Sequence, residues 1–466
     1  MMYISTRGTS APAKFIDVLL GGPAPDGGLY LPETWPQVGR YQIGELASLP
    51  YAEAAYRIMR PFIGDAFTDA EFRADIEGAY ATFAHKAVVP LREIAPNRFL
   101  MELFHGPTLA FKDVAMQLLG RLFNRALAKQ KRRATVIVAT SGDTGSAAIA
   151  ALRGQKNVDV VVLHPHGSTS EVQRRQMTTV LDSNVHNIAL EGVFDDTQNI
   201  VKALFADVAF AARTQLTAVN SINFARILAQ CVYYFTAAAA LGAGQGRLVS
   251  FVVPTGNFGD VFAGEAAWRM GLSLERLVVA TNTNDILERA LHTGVYGAGA
   301  AQPTLSPSMD IQVASNFERA LFEASNRDAT WVTSAMAEFG RTKSLTIPPP
   351  VLRDLQERYL AARADDTETI AAIARVYRDS GIVIDPHTAV GVAACDKTNR
   401  WLKGPAVLLA TAHPAKFPDA VRQAIGITPE LPPNLSDLLA RKERYTVLPN
   451  AVSAVREFVL ERTKHS

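Results

Sequence analysis

The stretch Ala134-Thr-Val-Ile-Val-Ala-Thr-Ser-Gly-Asp-Thr-Gly-Ser-Ala-Ala-Ile-Ala-Ala-Leu152 decides the fold. Ala134–Ala139 is a short β-branched run without strict polar alternation, the pattern of a strand buried on both faces. A glycine-bearing turn follows at once, and then an Ala-rich helical pattern, Ser146–Leu152. Such a junction aims backbone N–H groups and the positive end of a helix dipole at the space above the strand.

The same alternation extends outward. Val158–Leu163, Val185–Leu190, Leu248–Val253, Leu277–Ala280 and Ala406–Ala410 read as further buried strands. Between them, Ser170–Leu181, Asp196–Ala212 and Asn223–Leu241 read as helices. Strands alternating with helices predict parallel sheets covered on both faces. The beginning of the chain differs, with a Gly/Pro-rich stretch at Gly21–Gly28 followed by helical patterns. The expected fold class is α/β, with two open parallel-sheet domains and a mainly helical N-terminal cap. We expect the cap at 1–95, a large domain from 96–130 and 225–466, and a small domain at 131–224. Pro348-Pro349-Pro350 reads as a loop between late helices.

At 466 residues the chain is too long for one typical core. Its 47 basic and 45 acidic residues nearly cancel, which gives no argument for nucleic acid as a partner. Two cysteines cannot form a disulfide framework, and the first residues lack an apolar signal core. The longest apolar stretch, Ile227–Ala240, is interrupted by Gln230 and is too short to span a bilayer. We expect a cytoplasmic protein, monomeric or homodimeric, that binds neither membrane nor nucleic acid. His164 and His166 have no neighbouring carboxylate or cysteine to complete a metal site, so no metal is expected. Gln173-Arg-Arg-Gln-Met177 reads as solvated helix charge.

Four polar motifs lie in chain order: His105-Gly-Pro-Thr-Leu-Ala-Phe-Lys112-Asp113, Thr140–Gly145, Thr255-Gly-Asn-Phe-Gly259-Asp260, and Ala410-Thr411-Ala-His413-Pro-Ala-Lys416-Phe. Each alone admits an ordinary reading as a solvated lysine, a tight turn or a loop. Together they supply one amine, two glycine-bearing anion loops and one neutral hydroxyl. Pyridoxal phosphate needs that set: a lysine for the Schiff base, N–H groups for the phosphate and a partner for the ring nitrogen. Lys112 enters a helical pattern, Val114–Leu127, beside Ala110 and Phe111. Desolvation there lowers its pKa and favours the neutral amine that condenses with an aldehyde. The loop Thr140–Gly145, with Ser141 and Thr144, suits a substrate carboxylate as well as a phosphate. Gly256 and Gly259 permit positive φ and close approach of backbone to a phosphate. Thr411 ends an apolar strand, where ligand crevices lie in open α/β sheets. A neutral hydroxyl at the pyridine nitrogen suits elimination and replacement more than transamination.

These motifs resemble the bacterial and fungal threonine synthases, within the tryptophan-synthase-β-like, fold type II group of pyridoxal phosphate enzymes. The resemblance runs nearly end to end. It includes Tyr3-Ile-Ser-Thr-Arg7-Gly8, Phe104–Asp113, Thr140–Gly145, Asn220-Ser-Ile-Asn-Phe-Ala-Arg226, Pro307-Ser-Met-Asp-Ile311, Ser315-Asn-Phe-Glu-Arg319 and Ala410–Phe417. It implies that Lys112 carries the cofactor and that Gly256, Asn257, Phe258, Gly259 and Asp260 hold its phosphate. It implies that Thr411 meets the ring nitrogen and that Asp143 lies near the phenolic oxygen. It further implies that O-phospho-L-homoserine and water become L-threonine and phosphate, the last step of threonine biosynthesis. Ser141, Thr144, Ser221, Asn223, Arg226 and Lys416 are the implied substrate ligands. Ser168-Thr169 departs from the family pattern, where a basic residue and a valine are common.

Overall fold

A computed structural model of the chain describes residues 1–463 except Ser168 and Asn220. The Ser168 departure and the first residue of the Asn220–Arg226 motif therefore lie outside the described residues. The fold is α/β, built on two parallel-rich sheets.

The N-terminal segment pairs β1 (Tyr3–Ser5) antiparallel with β2 (Tyr30–Pro32) and adds helices α1 (Phe15–Gly21), α2 (Arg40–Leu46), α3 (Tyr51–Ile63) and α4 (Asp69–Tyr80). The larger sheet contains β3 (Leu91–Ala95), β4 (Arg98–Glu102), β9 (Val249–Pro254), β10 (Leu274–Thr281), β13 (Tyr359–Arg363) and β14 (Ala406–Ala410). Its order is β13-β10-β9-β14-β4-β3, parallel except for the antiparallel edge strand β3. The smaller sheet contains β5 (Ala134–Ala139), β6 (Val158–Pro165), β7 (Val185–Glu191), β8 (Leu216–Thr217) and β15 (Thr446–Pro449), in the order β15-β7-β6-β5-β8, all parallel. A short antiparallel pair, β11 (Val295–Gly297) and β12 (Ser344–Thr346), stands apart.

Three local expectations change. Strand β3 begins at Leu91 and pairs with β4, so the larger sheet starts inside the segment expected to be cap. At the other end β15 pairs with β7, and Val455 and Val459 of the last helix join Ile137, Val161 and Ile188 in one apolar cluster. That terminal segment packs on the smaller sheet, not the larger one as expected. Pro348-Pro349-Pro350 is a helix start rather than a loop: Pro348 is the N-cap and Pro349 opens Pro349–Arg358. The first turn tolerates proline because its N–H groups have no intrahelical acceptor.

The remaining helices near the centre are α5 (Lys112–Lys129), α6 (Asp143–Leu152), α7 (Glu171–Thr178), α8 (Phe194–Ala206), α9 (Val208–Thr214), α10 (Phe224–Ala240) and α11 (Gly259–Arg269). The expected helix Asp196–Ala212 is broken into α8 and α9 at Asp207, which caps the second piece by accepting from the Phe210 N–H. Helix α10 is buried on nearly every side, packed by α3, α5 and α11. A helix apolar all round is a core helix. No described helix is long and apolar enough to cross a membrane. Strands β9 and β14 are neighbours, so the loops leaving Pro254 and Ala410 emerge side by side at the C-terminal edge of the sheet.

Candidate active site

The loop before Lys112 is fixed from both ends. The Asp113 carboxylate accepts from the N–H and the hydroxyl of Thr108, each at 2.7 Å. Gly106 is required there, since a Cβ would lie 2.4 Å from that of Asp113. Leu109 takes a positive φ of 61°, a strained value for a leucine. The Phe111 N–H donates to the Thr411 carbonyl at 2.8 Å, and the His413 N–H to the Leu109 carbonyl at 3.0 Å. These bonds hold Lys112 beside Thr411. Lys112 opens α5, and burial, seconded by Lys416 and Arg226, lowers its pKa against the pull of Asp143.

Asp143, first residue of α6, is the hub of the opposite wall. Its Oδ1 lies 2.7 Å from Lys416 Nζ and accepts from Gln173 Nε2 at 2.8 Å. Its Oδ2 lies 3.5 Å from Lys112 Nζ and accepts from Ser308 Oγ at 3.2 Å. Burial favours the neutral acid, but Lys416 and Lys112 outweigh it and hold the carboxyl well below its usual range. The loop ahead of it is partly self-satisfied: Thr140 Oγ1 accepts from the N–H groups of Gly142 and Gly145, at 2.9 and 3.0 Å. Those two amides are therefore not free for an anion.

The loop after β9 is built differently. No backbone N–H from Gly256 to Asp260 donates to another described residue. The left-handed position falls on Phe258, at φ 62°, and not on either glycine as expected. Phe258 is held there by packing against Phe317 and Tyr359. Gly256 serves close approach, because a Cβ would meet the Ser308 carbonyl oxygen at 2.8 Å. Successive open amides at a helix N-terminus form an anion cradle. The Asp260 side chain points elsewhere, with Oδ1 accepting from the hydroxyls of Tyr233 and Tyr234.

A cavity of about 700 Å³ joins these walls. Lys112, Asp143, Thr144, Ser221, Arg226, Gly256–Asp260 and Thr411 line it, as expected. Arg226 is 4% exposed, and its Nε has no partner among the described residues. Burial lowers its pKa to about 10, against Tyr233, which raises it. Open amides, a desolvated amine, a hydroxyl and an unpaired guanidinium fit a phosphorylated aldehyde cofactor together with an anionic substrate.

Three expected substrate ligands do not line the cavity. Ser141 is exposed. Asn223 is occupied as the N-cap of α10 and as a donor to the Leu19 carbonyl at 2.9 Å. Lys416 is fully buried, spending its ammonium on Asp143 and on the Thr108 carbonyl at 2.8 Å. Conversely, the sequence reading passed over Ser308, Gln173, Lys202 and His387. Gln173, in the segment expected to be solvated, is 5% exposed and bonded to Asp143. His387 lines the cavity; its Nε2 accepts from the Ser308 N–H, so Nδ1 donates to Asp385 at 2.9 Å. Ser308 stood in a quoted motif without a role. An Asp followed by Pro at a helix start was a readable cap signal for Asp385. Among the described residues no cluster of three metal-ligating side chains occurs.

Comparison with known proteins places the chain in a family. A family model described as threonine synthase N terminus matches residues 2–80, one described as pyridoxal-phosphate dependent enzyme matches 88–349, and one described as threonine synthase, C-terminal, matches 388–459. The threonine synthase of Pseudomonas aeruginosa is 52% identical, over 98% of each chain. That of Schizosaccharomyces pombe is 43% identical, over 91% of this chain and 89% of its own. The crystal structure of pyridoxal-phosphate-bound threonine synthase from Brucella melitensis superposes with a TM-score of 0.97 at 50% identity, covering 100% of both chains. The yeast threonine synthase structure gives 0.94 at 38% identity, covering 99% of this chain and 98% of its own. With matching family models, near-full-length relatives and a shared fold, this chain belongs to the threonine synthase family of pyridoxal-phosphate-dependent enzymes.

Proposed function

We propose that the chain converts O-phospho-L-homoserine and water to L-threonine and inorganic phosphate. The observation that carries the substrate reading is Arg226, a buried guanidinium without an anionic partner among the described residues, lining the same cavity as Lys112. A buried cation is costly unless an anion completes it, and a substrate phosphate supplies that anion. Bound pyridoxal phosphate supplies an electron sink for a carbanion at the substrate Cα.

The residues divide the work. The open amides of Gly256–Asp260 hold the cofactor phosphate, and Thr411 meets the ring nitrogen. Lys112 Nζ would carry the cofactor, and its amine is placed to move the proton at the substrate Cα. Its lowered pKa favours the neutral amine, the form that accepts a proton. Arg226 and Ser221 hold the substrate phosphate and stabilise it as it leaves. Thr144, at the start of α6, faces the substrate carboxylate with its backbone N–H. Asp143 sits at the cofactor's phenolic side, kept ionised by Lys416. We further read the chain as a cytoplasmic enzyme with a cap ending near residue 90. Its small unit comprises 131–224 together with the β15 segment.

The test is a product assay with O-phospho-L-homoserine. Threonine and phosphate in equal amounts support the reading. Phosphate with 2-oxobutyrate would assign the chain to phospho-lyase chemistry instead, and no turnover would overturn both.

A further inference from the structure

His387 lines the cavity and has no part in the division of work above. Its ring is buried and meets Phe417 edge-on, with centroids 4.8 Å apart. Both ring nitrogens are engaged. A backbone N–H can only donate, so the Ser308 N–H at 3.2 Å makes Nε2 an acceptor. The proton therefore sits on Nδ1 and is donated to Asp385 Oδ1 at 2.9 Å. Asp385 is fully buried and caps the helix Pro386–Thr398, accepting from the N–H groups of His387 and Thr388 at 2.9 and 3.3 Å. Capping needs only those backbone bonds; the bond to the ring additionally fixes a tautomer. Ser308, which that tautomer holds, stands between two walls of the cavity. Its Oγ donates to Asp143 Oδ2 at 3.2 Å, and the same oxygen lies 3.5 Å from Lys112 Nζ. Its carbonyl closes on Gly256, where a Cβ would lie 2.8 Å away. The rest of the Ser308 loop is anchored elsewhere. Asn282 Nδ2 donates to Ser306 Oγ at 3.0 Å and to Asp310 Oδ1 at 2.7 Å. Loss of the His387 bond would therefore free Ser308 while the loop keeps its shape.

We propose that Asp385 and His387 are positioning residues: by holding the Ser308 amide, they keep its hydroxyl on the Asp143 oxygen that faces Lys112. The proposal rests on the reading of Lys112 as the amine that carries the cofactor and moves the proton. The Ser308 hydroxyl bonds to an ionised carboxylate, the stronger kind of hydrogen bond. It occupies a lone pair of Oδ2 and restrains the carboxylate from closing on the Lys112 amine. Without it, Asp143 pairs more tightly with Lys112 and favours the ammonium, which cannot accept a proton. Arg226 and Ser221, the groups assigned to the substrate phosphate, are untouched by this change. The loss therefore falls on kcat and spares KM.

The test is a double-mutant cycle on the full-length holoenzyme: His387→Ala, Ser308→Ala and the two together, with His387→Gln as the conservative variant. His387→Ala should lower kcat about tenfold and leave KM within about twofold. His387→Gln, whose amide oxygen can accept the Ser308 N–H, should recover most of that loss. The double variant should be no slower than Ser308→Ala alone, because His387 acts through that hydroxyl. Additive losses, or a glutamine variant as slow as the alanine one, would overturn the proposal. If His387→Ala does not fold, Asp385→Asn takes its place in the cycle, since asparagine is an equally good cap. A second readout needs neither cofactor nor turnover. In nitrogen NMR of the isotope-labelled apoprotein, the imidazole signals missing from His387→Gln should show a protonated Nδ1 and a bare Nε2. A proton on Nε2 in the wild type would overturn the proposal. A wild type that does not turn over O-phospho-L-homoserine removes the functional reading instead, and the tautomer still tests the His387–Ser308 bond.

Discussion

The loop after β5 and the loop after β9 share one architecture: a buried parallel strand, a glycine-bearing turn and a helix start. In the first, Thr140 takes two amides and Asp143 brings a negative charge that Lys416, Lys112, Gln173 and Ser308 surround. In the second, five successive N–H groups from Gly256 to Asp260 have no acceptor among the described residues. One loop arrives with its anion built in, and the other is open for an anion from outside. The same motif grammar thus serves two electrostatic roles, decided by what the rest of the chain sends to meet each loop. Lys112 lines the same cavity, its basicity lowered by burial, Lys416 and Arg226 against the pull of Asp143.

The largest expected effect comes from removing the group they share. Lys112→Ala should lower turnover by at least about a thousandfold, because it removes both the link to the cofactor and the proton carrier. Steady-state assay checks this; retention of even a tenth of wild-type activity would refute the assignment.

Next is the closed loop. Lys416→Met leaves Asp143 short of its nearest cation in a buried site, a change that costs roughly 3–5 kcal/mol in such pairs. Thermal denaturation should show the loss, and adding Asp143→Asn should recover much of the stability. If the single variant melts like the wild type, Lys416 is not the partner that keeps Asp143 ionised.

On the open side the effect is smaller and confined to the substrate. Arg226→Ala should lower kcat/KM for O-phospho-L-homoserine by about one to two orders of magnitude, with cofactor occupancy preserved. Parallel loss of cofactor and activity would mean that the two phosphate sites are exchanged. Thr411→Asp is the subtlest change. A carboxylate at the ring nitrogen should raise that nitrogen's pKa and shift product partitioning from threonine toward keto acid. Unchanged partitioning would move Thr411 away from the ring.

Local pattern reached far into this molecule. Strands Ala134–Ala139 and Ala406–Ala410 form residue for residue as read, because a buried parallel strand is a continuous apolar run. Lys112, Arg226, Thr411 and the Gly256 loop converge because each follows a strand or opens a helix. What escaped was set by contacts far apart in the chain. Strand β15 is short, largely exposed and ends in proline, so its pairing with β7 leaves no apolar signature. The resemblance implies Lys416 as a substrate ligand, but a motif match does not show the direction of an ammonium, which here turns to Asp143. The resemblance implies Asn223 as a ligand too, yet the helix start that follows it claims its side chain. Ser308 and Gln173 meet Asp143 across 165 and 30 residues of chain, and no periodicity records such a meeting.

The central claim is that one cavity holds the cofactor on Lys112 with its phosphate on the open loop. A crystal structure of the holoenzyme tests it most directly. The account predicts continuous density from Lys112 Nζ to the cofactor and the phosphate oxygens within hydrogen-bond distance of the Gly256–Asp260 amides. A cofactor joined to another lysine, or a phosphate seated on Thr140–Gly145, would contradict it.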